Sequence, residues 1–240
     1  MTKKRIIDRL SKIPLIGWLA GPLTVAFEFS MYEIAMLINS SGSAAARSVI
    51  PKIDAIDGLI PFIPVFIFGY VFSYGFWIVS PVLTSLDSRR NTWNYLLGIA
   101  ISVIVGFTLL TVFPTRMDRA AEGVIAAANG SGFTAWVLHF IIYADGGAEG
   151  INLLPSFHCM LSVSIYCGVA FKKKIPLGWR IFVFCGMTLI VVSTLFVKQH
   201  YFLDAVAGIG LGLGASLLGS AIDIGSVIEN RRRKKDAGEG

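Results

Sequence analysis

The chain has 240 residues, of which 55% are hydrophobic and 15% charged, and its mean hydropathy is +0.70. Soluble domains carry about 25% charged residues, so this balance excludes an ordinary soluble fold. The net charge of +6 sits in short clusters between apolar blocks, which fits a membrane topology signal and not a nucleic-acid surface.

Six apolar stretches reach the length of about 20 residues that a helical span needs. They are Leu15–Ile38, Leu59–Leu86, Trp93–Phe113, Leu154–Phe171, Leu177–Val197 and Tyr201–Ile222. The predicted fold is all-α: a polytopic membrane helix bundle with six transmembrane helices and short extracytoplasmic helices between spans three and four. Residues 1–14 form a cytoplasmic basic amphipathic arm, residues 15–223 one six-span domain, and residues 224–240 a cytoplasmic basic tail. Ala44-Ala45-Ala46 resembles a signal cleavage site, but the apolar run before it is too long for a signal peptide, and it is taken as an uncleaved first span.

Span one carries Glu28 and Glu33. The loop Asn39–Gly58, rich in Ser, Gly and Ala, is expected to be only partly ordered. Span two opens on Pro61 and Pro64, placed where a missing N–H matters least. The connection Pro114–Leu153 is long enough to imply a role. Within it, Arg116–Ala128 is predicted as a helix capped by Thr115. Phe133–Ala144, bounded by Gly132 and Gly146-Gly147, is predicted as a second helix, too short to span and therefore interfacial or re-entrant. Span six has two close-packing spacings, Gly208-x3-Gly212 and Gly210-x3-Gly214. Cys159, Cys167 and Cys185 fall inside spans without metal-ligand spacing and are taken as packing residues. Asp223 is taken as an interfacial charge.

Sixteen of the 21 basic residues lie on one side of the six-span arrangement. The positive-inside rule then puts both termini in the cytoplasm of a multi-pass cell-membrane protein. The same alternation brings His158, His200, Arg116 and Arg119 to the extracytoplasmic face, where ionisable groups at span mouths mark a site.

His200 and Asp204 are four apart and share a helix face. A carboxylate there orients an imidazole and raises the basicity of its other nitrogen, which makes His200 a nucleophile candidate. His158, just after Pro155 and Ser156 at a helix start, is placed to protonate a leaving oxygen. The N–H groups around Ser156 favour an anion. Arg116 and Arg119 are candidate clamps for phosphate oxygens, with Lys198 adding charge. Glu33 and Glu28 are candidates for recognising a cationic or hydroxylated head group. A zinc site built from two His and an Asp competes with this reading, but no His-Glu-x-x-His or cysteine pairing supports it. His139 has no carboxylate at helical spacing and is taken as an interfacial residue.

These residues resemble the motifs of the type 2 phosphatidic acid phosphatase superfamily, six-span and metal-independent lipid phosphatases and phosphotransferases. Pro155-Ser156-Phe157-His158 is similar to the central Pro-Ser-x-His motif, whose His protonates the leaving group. His200 and Asp204 match the closing His-x3-Asp, whose His forms a phospho-histidine. Arg119 matches the arginine that ends the first motif. Ala120 replaces that motif's proline, Val112 its lysine, and Ser193-Thr194 the Ser-Arg of the last motif. Arg116 and Lys198 are the candidates to replace the missing cations. The reduced set most resembles the inositol-phosphoceramide and sphingomyelin synthase-like branch.

The resemblance implies a lipid phosphate or pyrophosphate substrate, no metal, no cofactor and no nucleic acid. A lipid or alcohol acceptor enters if the enzyme is a transferase moving an inositol phosphate- or phosphocholine-like group. Hydrolase and transferase both stay open, as does a non-catalytic transporter or channel. The sequence does not specify an oligomeric state.

Overall fold

The structure, a computed structural model, describes residues 12–41, 46–145 and 147–238. Most of the expected amphipathic arm, together with Ala44, Ala45 and Gly146, lies outside the described residues. The long apolar runs form helices, three of which start at a side-chain cap: Ser88, Ser156 and Tyr201. Helix α1 is Leu15–Asn39, and a single turn, α2, covers Asp54–Asp57. The second span begins as a 3-10 turn at Pro64–Phe66, continues as α3 at Ile67–Val79, and tightens again to 3-10 geometry at Ser80–Leu86. Helix α4, Arg89–Val112, starts where the Ser88 hydroxyl accepts the Asn91 N–H at 3.1 Å, a cap that satisfies an orphan donor. Helices α5 (Val124–Ala128) and α6 (Phe133–Ala144) precede α7 (Phe157–Val169), α8 (Leu177–Phe196), α9 (Phe202–Ile222) and α10 (Ile224–Asp236).

Five helical segments among the described residues are long and apolar enough to cross a bilayer. The protein is thus an all-helical, multi-pass membrane bundle. The remaining predicted span, Leu154–Phe171, is shorter than expected. Its helix, α7, has 13 residues, which at 1.5 Å per residue is roughly 20 Å. Leu154, Pro155 and Ser156 stay out of the helix and lead into its N-terminus. The short length is tolerated because protein, not lipid, surrounds α7: it packs on α9, α8, α4 and α3, and Met160, Leu161 and Ile165 are fully enclosed.

Close approach of α9 to α7 depends on one of the two glycine spacings. A Cβ at Gly208 would strike the Ser156 carbonyl oxygen, and one at Gly212 would lie 2.6 Å from that of Met160. Gly210 and Gly214 face open space, so the second spacing is not a packing seam in the bundle. Polar side chains link the helices inside the bundle, as in Trp77 Nε1 to Ser162 Oγ at 3.0 Å and Thr24 Oγ1 to the Tyr95 hydroxyl at 3.0 Å, bonds of a kind that hold membrane helices together. Asp223 does more than mark an interface. It accepts from Arg90 Nε at 2.8 Å and Asn94 Nδ2 at 2.8 Å, and this clamps the turn into α10 against α4.

The connection between α4 and α7 departs from expectation at its start. Arg116–Asp118 is a short strand, β1, paired antiparallel with β2, Glu149–Ile151. Its middle residue, Met117, is buried against Leu153 and Tyr201, an alternation that suits a strand and defeats a helix. Thr115 is no helix cap. Its hydroxyl accepts the N–H groups of Leu153 and Leu154, both at 3.0 Å. Val49 bridges to Thr115, which ties the loop after α1 to the same ladder. Helix α6 forms where the sequence predicts. It buries Ala135, Leu138, Ile141 and Ile142 and exposes Phe133, Trp136, Phe140 and Tyr143, an aromatic stripe of the kind enriched at membrane–water boundaries.

Candidate active site

The starts of α7 and α9 are stitched together, and this brings the two motif histidines into one place. Ser156 caps α7 by accepting the Cys159 N–H at 3.4 Å, while its own N–H donates to the Asp204 carbonyl at 3.0 Å. His158 sits in the first turn of α7 and His200 just before α9. Their ring centroids are 6.1 Å apart. Asp204 is fully buried, and one carboxylate oxygen accepts the Tyr201 N–H at 2.8 Å. That same oxygen lies 3.7 Å from His200 Nδ1, within ion-pair range but longer than a hydrogen bond. The other oxygen of Asp204 has no partner. Nδ1 is thus the ring nitrogen of His200 that faces the carboxylate.

Span two fixes His158. Tyr70 stacks on its ring at 4.1 Å between centroids, Trp77 meets it at 4.8 Å and Tyr74 at 6.0 Å. The Nε2 of His158 is buried and finds no protein partner. Both imidazoles open on a cavity of about 160 Å³. Helix α1 supplies Glu28, Tyr32 and Glu33 to its wall, α3 supplies Tyr70, Tyr74 and Trp77, and Asp145, Asn152 and Gln199 complete its polar lining.

The expected cationic clamp is not on this wall. Arg116 faces Glu149 at 3.8 Å, is partly exposed and does not line the cavity. Arg119 is 1% exposed and lies one layer behind. Its Nη1 donates to the carbonyls of Ile142, Asp145 and Gly147 at 3.3, 2.7 and 3.0 Å. Its Nη2 donates to the Asp145 carboxylate at 2.5 Å and to Gln199 Oε1 at 2.9 Å. A buried guanidinium needs such partners, and the C-terminal end of α6 offers unpaired carbonyls and the negative end of a helix dipole. Lys198 donates to the Asp57 carbonyl at 2.9 Å and reaches Glu122 at 3.6 Å, also off the cavity. Ser156 uses its hydroxyl as a helix cap and does not line the cavity. Glu28 and Glu33 do line it, and one carboxylate oxygen of the buried Glu28 has no partner.

Beside the site, Glu122 receives Lys52 Nζ at 2.8 Å. Burial raises its pKa, but Lys52, Lys198 and Tyr201 together hold the carboxyl below its ordinary value.

Sequence reasoning missed Tyr32, Asp145, Asn152, Gln199 and the aromatic wall. The wall had a readable signal, because Tyr70, Tyr74 and Trp77 recur at helical spacing on one face. Gln199 stands directly before His200. Asn152 and Asp145 carry no pattern of their own.

The sequence profile of the PAP2 superfamily matches residues 64–218, well over half of the chain, including both helix starts that meet at the cavity. No curated protein and no solved structure matches the chain.

Proposed function

This chain belongs to the PAP2 superfamily, and from that premise we propose that it is a metal-independent lipid phosphatase acting through a phospho-histidine. The observation that carries the reading is the 6.1 Å between the two imidazoles at one cavity. In-line displacement needs about 3 Å from nucleophile to phosphorus and a hydrogen bond of about 3 Å to the departing oxygen from the far side. The P–O bond lies between those two contacts, so at this ring separation both imidazoles reach one phosphoryl group with the hydrogen bond to the departing oxygen bent off the line of attack.

In the proposed cycle, His200 Nε2 attacks phosphorus and the bond to the lipid oxygen breaks. His158 gives that oxygen its proton. Asp204 stabilises the cationic ring of His200. His158, now a base, takes a proton from water as the water attacks phosphorus, and the N–P bond breaks. Phosphate leaves and both imidazoles return to their first state. The substrate is a lipid phosphate or pyrophosphate, and the site faces the extracytoplasmic leaflet with both termini inside, as the charge bias supports. An alcohol in place of water makes the same intermediate a transfer step.

The test uses purified protein in detergent. We expect ester cleavage to survive EDTA and to be lost in His200→Ala. His158→Ala is expected to fall by about 10²–10⁴-fold, the range for general acid catalysis. Labelled lipid with and without acceptor alcohols separates free phosphate from a new phospholipid. Full turnover by both folded variants would overturn the mechanism.

A further inference from the structure

His200 lies outside any helix, in the stretch 197–201 between α8 and α9. Lys198, two positions before it, has a φ of +49°. A residue with a side chain adopts that left-handed conformation only where its surroundings hold it there. The start of the stretch is tied to α8, because the N–H groups of Gln199 and His200 both donate to the Thr194 carbonyl, at 3.0 and 3.2 Å. Asp204 does not lock the ring. Its carboxylate stays 3.7 Å from Nδ1, and Nδ1 has no hydrogen-bond partner. The place of the imidazole is therefore set by the backbone on either side of it.

One residue from a distant part of the chain holds both sides. Asp57 ends the single turn α2, in the loop after span one, and is 2% exposed. One of its carboxylate oxygens accepts the Ile53 N–H at 2.7 Å, and the other accepts the Phe202 N–H at 2.8 Å. Phe202 is the first residue of α9, where a helix has no carbonyl of its own to offer and where negative charge is favoured. The backbone carbonyl of Asp57 accepts Lys198 Nζ at 2.9 Å. A little further on, the Ile63 N–H donates to the Phe196 carbonyl at 2.8 Å. Residues 57–63 are thus bonded to the chain both before and after His200. Asp57 does not line the cavity, and it precedes the residues that match the superfamily profile.

We propose that Asp57 is a positioning residue that keeps His200 on the line of attack by fixing the backbone at Lys198 and Phe202. The proposal rests on the phosphoryl-transfer reading above, with His200 as the nucleophile. It also gives Lys198 a role. Its ammonium lies off the cavity between Asp57 and Glu122, so it serves the clip and not the phosphate. A misplacement of about 1 Å costs about 100-fold in rate. With no hydrogen bond to Nδ1, the ring has no local correction for a shift of the backbone that carries it.

The experiment uses the full-length protein with labelled phosphatidate in mixed micelles. Enzyme in saturating excess over lipid gives a single-turnover rate constant, which a misfolded fraction does not change. Asp57→Asn keeps the shape of the side chain, but its amide nitrogen cannot accept, so one of the two N–H bonds is lost. Its rate constant is expected to fall about 10- to 100-fold. Asp223→Asn loosens the far end of α9 and serves as the control. It is expected to lower the melting temperature and to keep the rate constant within about twofold of wild type. Lys198→Met removes the other side of the clip. Its kcat is expected to fall at least about threefold with KM within about twofold, whereas a lysine that bound phosphate would show a raised KM. A rate constant within about twofold of wild type in Asp57→Asn overturns the clip and leaves the phosphoryl-transfer reading standing. An equal loss in Asp223→Asn does the same, because it traces the effect to the stability of α9. Should Asp57→Asn fail to fold, Lys198→Met decides alone, and an unchanged kcat overturns the clip. A wild type that cleaves neither phosphatidate nor diacylglycerol pyrophosphate overturns both.

Discussion

Replacing Arg119 by Leu separates a structural arginine from a phosphate clamp. Its guanidinium makes five bonds: three to carbonyls around the end of α6, one to the Asp145 carboxylate and one to Gln199. Removing one partner of a buried ion pair costs about 3–5 kcal/mol, because the other charge is left uncompensated. The Asp145 side chain is 23% exposed and keeps the Tyr32 hydroxyl at 2.7 Å, so the lower end applies, about 3 kcal/mol. At about 2–4 °C per kcal/mol for a chain of this size, the melting temperature in detergent should fall by about 6–12 °C. Adding Asp145→Asn removes the orphaned charge and should recover part of the loss, which a double-mutant cycle reads as a coupling energy. A melting temperature unchanged in Arg119→Leu, with turnover abolished, would refute this account and return the arginine to the substrate.

The glycines of α9 should give opposite signs for one substitution. Gly208→Ala and Gly212→Ala drive a methyl into the α7 backbone and should each cost about 1–3 kcal/mol by overpacking, seen in thermal unfolding. Gly210→Ala enters open space and should be neutral or up to about 1 kcal/mol stabilising through helix propensity. Glu122 supplies a pH signature. Its pKa is lowered in the fold, so its contribution is present above the unfolded carboxylate range and lost as pH falls through the folded value. Glu122→Gln should therefore lower stability by about 1 kcal/mol at neutral pH, and the gap to wild type should close in acid, as paired melting curves across pH will show.

The long helices were legible because bilayer burial leaves an unbroken apolar run, and the ends of α6 were legible because glycines bound it. The nearness of His200 to Asp204 was legible from spacing, but not as a shared helix face: His200 stands before Tyr201, the N-cap of α9, and its Nδ1 lies 3.7 Å from the carboxylate. The length of α7 was not, since a helix enclosed by protein is as apolar as one facing lipid and need not cross the full thickness. Strand β1 was hidden because three residues carry no periodicity, and its partner β2 follows only after two helices. The role of Arg119 depends on which acceptors surround it. Those come from the end of α6 and from Gln199, which no local pattern connects to it. The hold of Asp57 on the stretch around His200 joins distant parts of the chain and leaves no trace in spacing.

The most direct measurement is rapid quench of the wild-type protein with phosphorus-labelled lipid ester, followed by peptide mapping of the trapped enzyme. The account predicts an alkali-stable, acid-labile phosphoryl group on His200, absent in His200→Ala. Label on any other residue, or turnover with no phosphorylated enzyme on the time scale of one cycle, would contradict it.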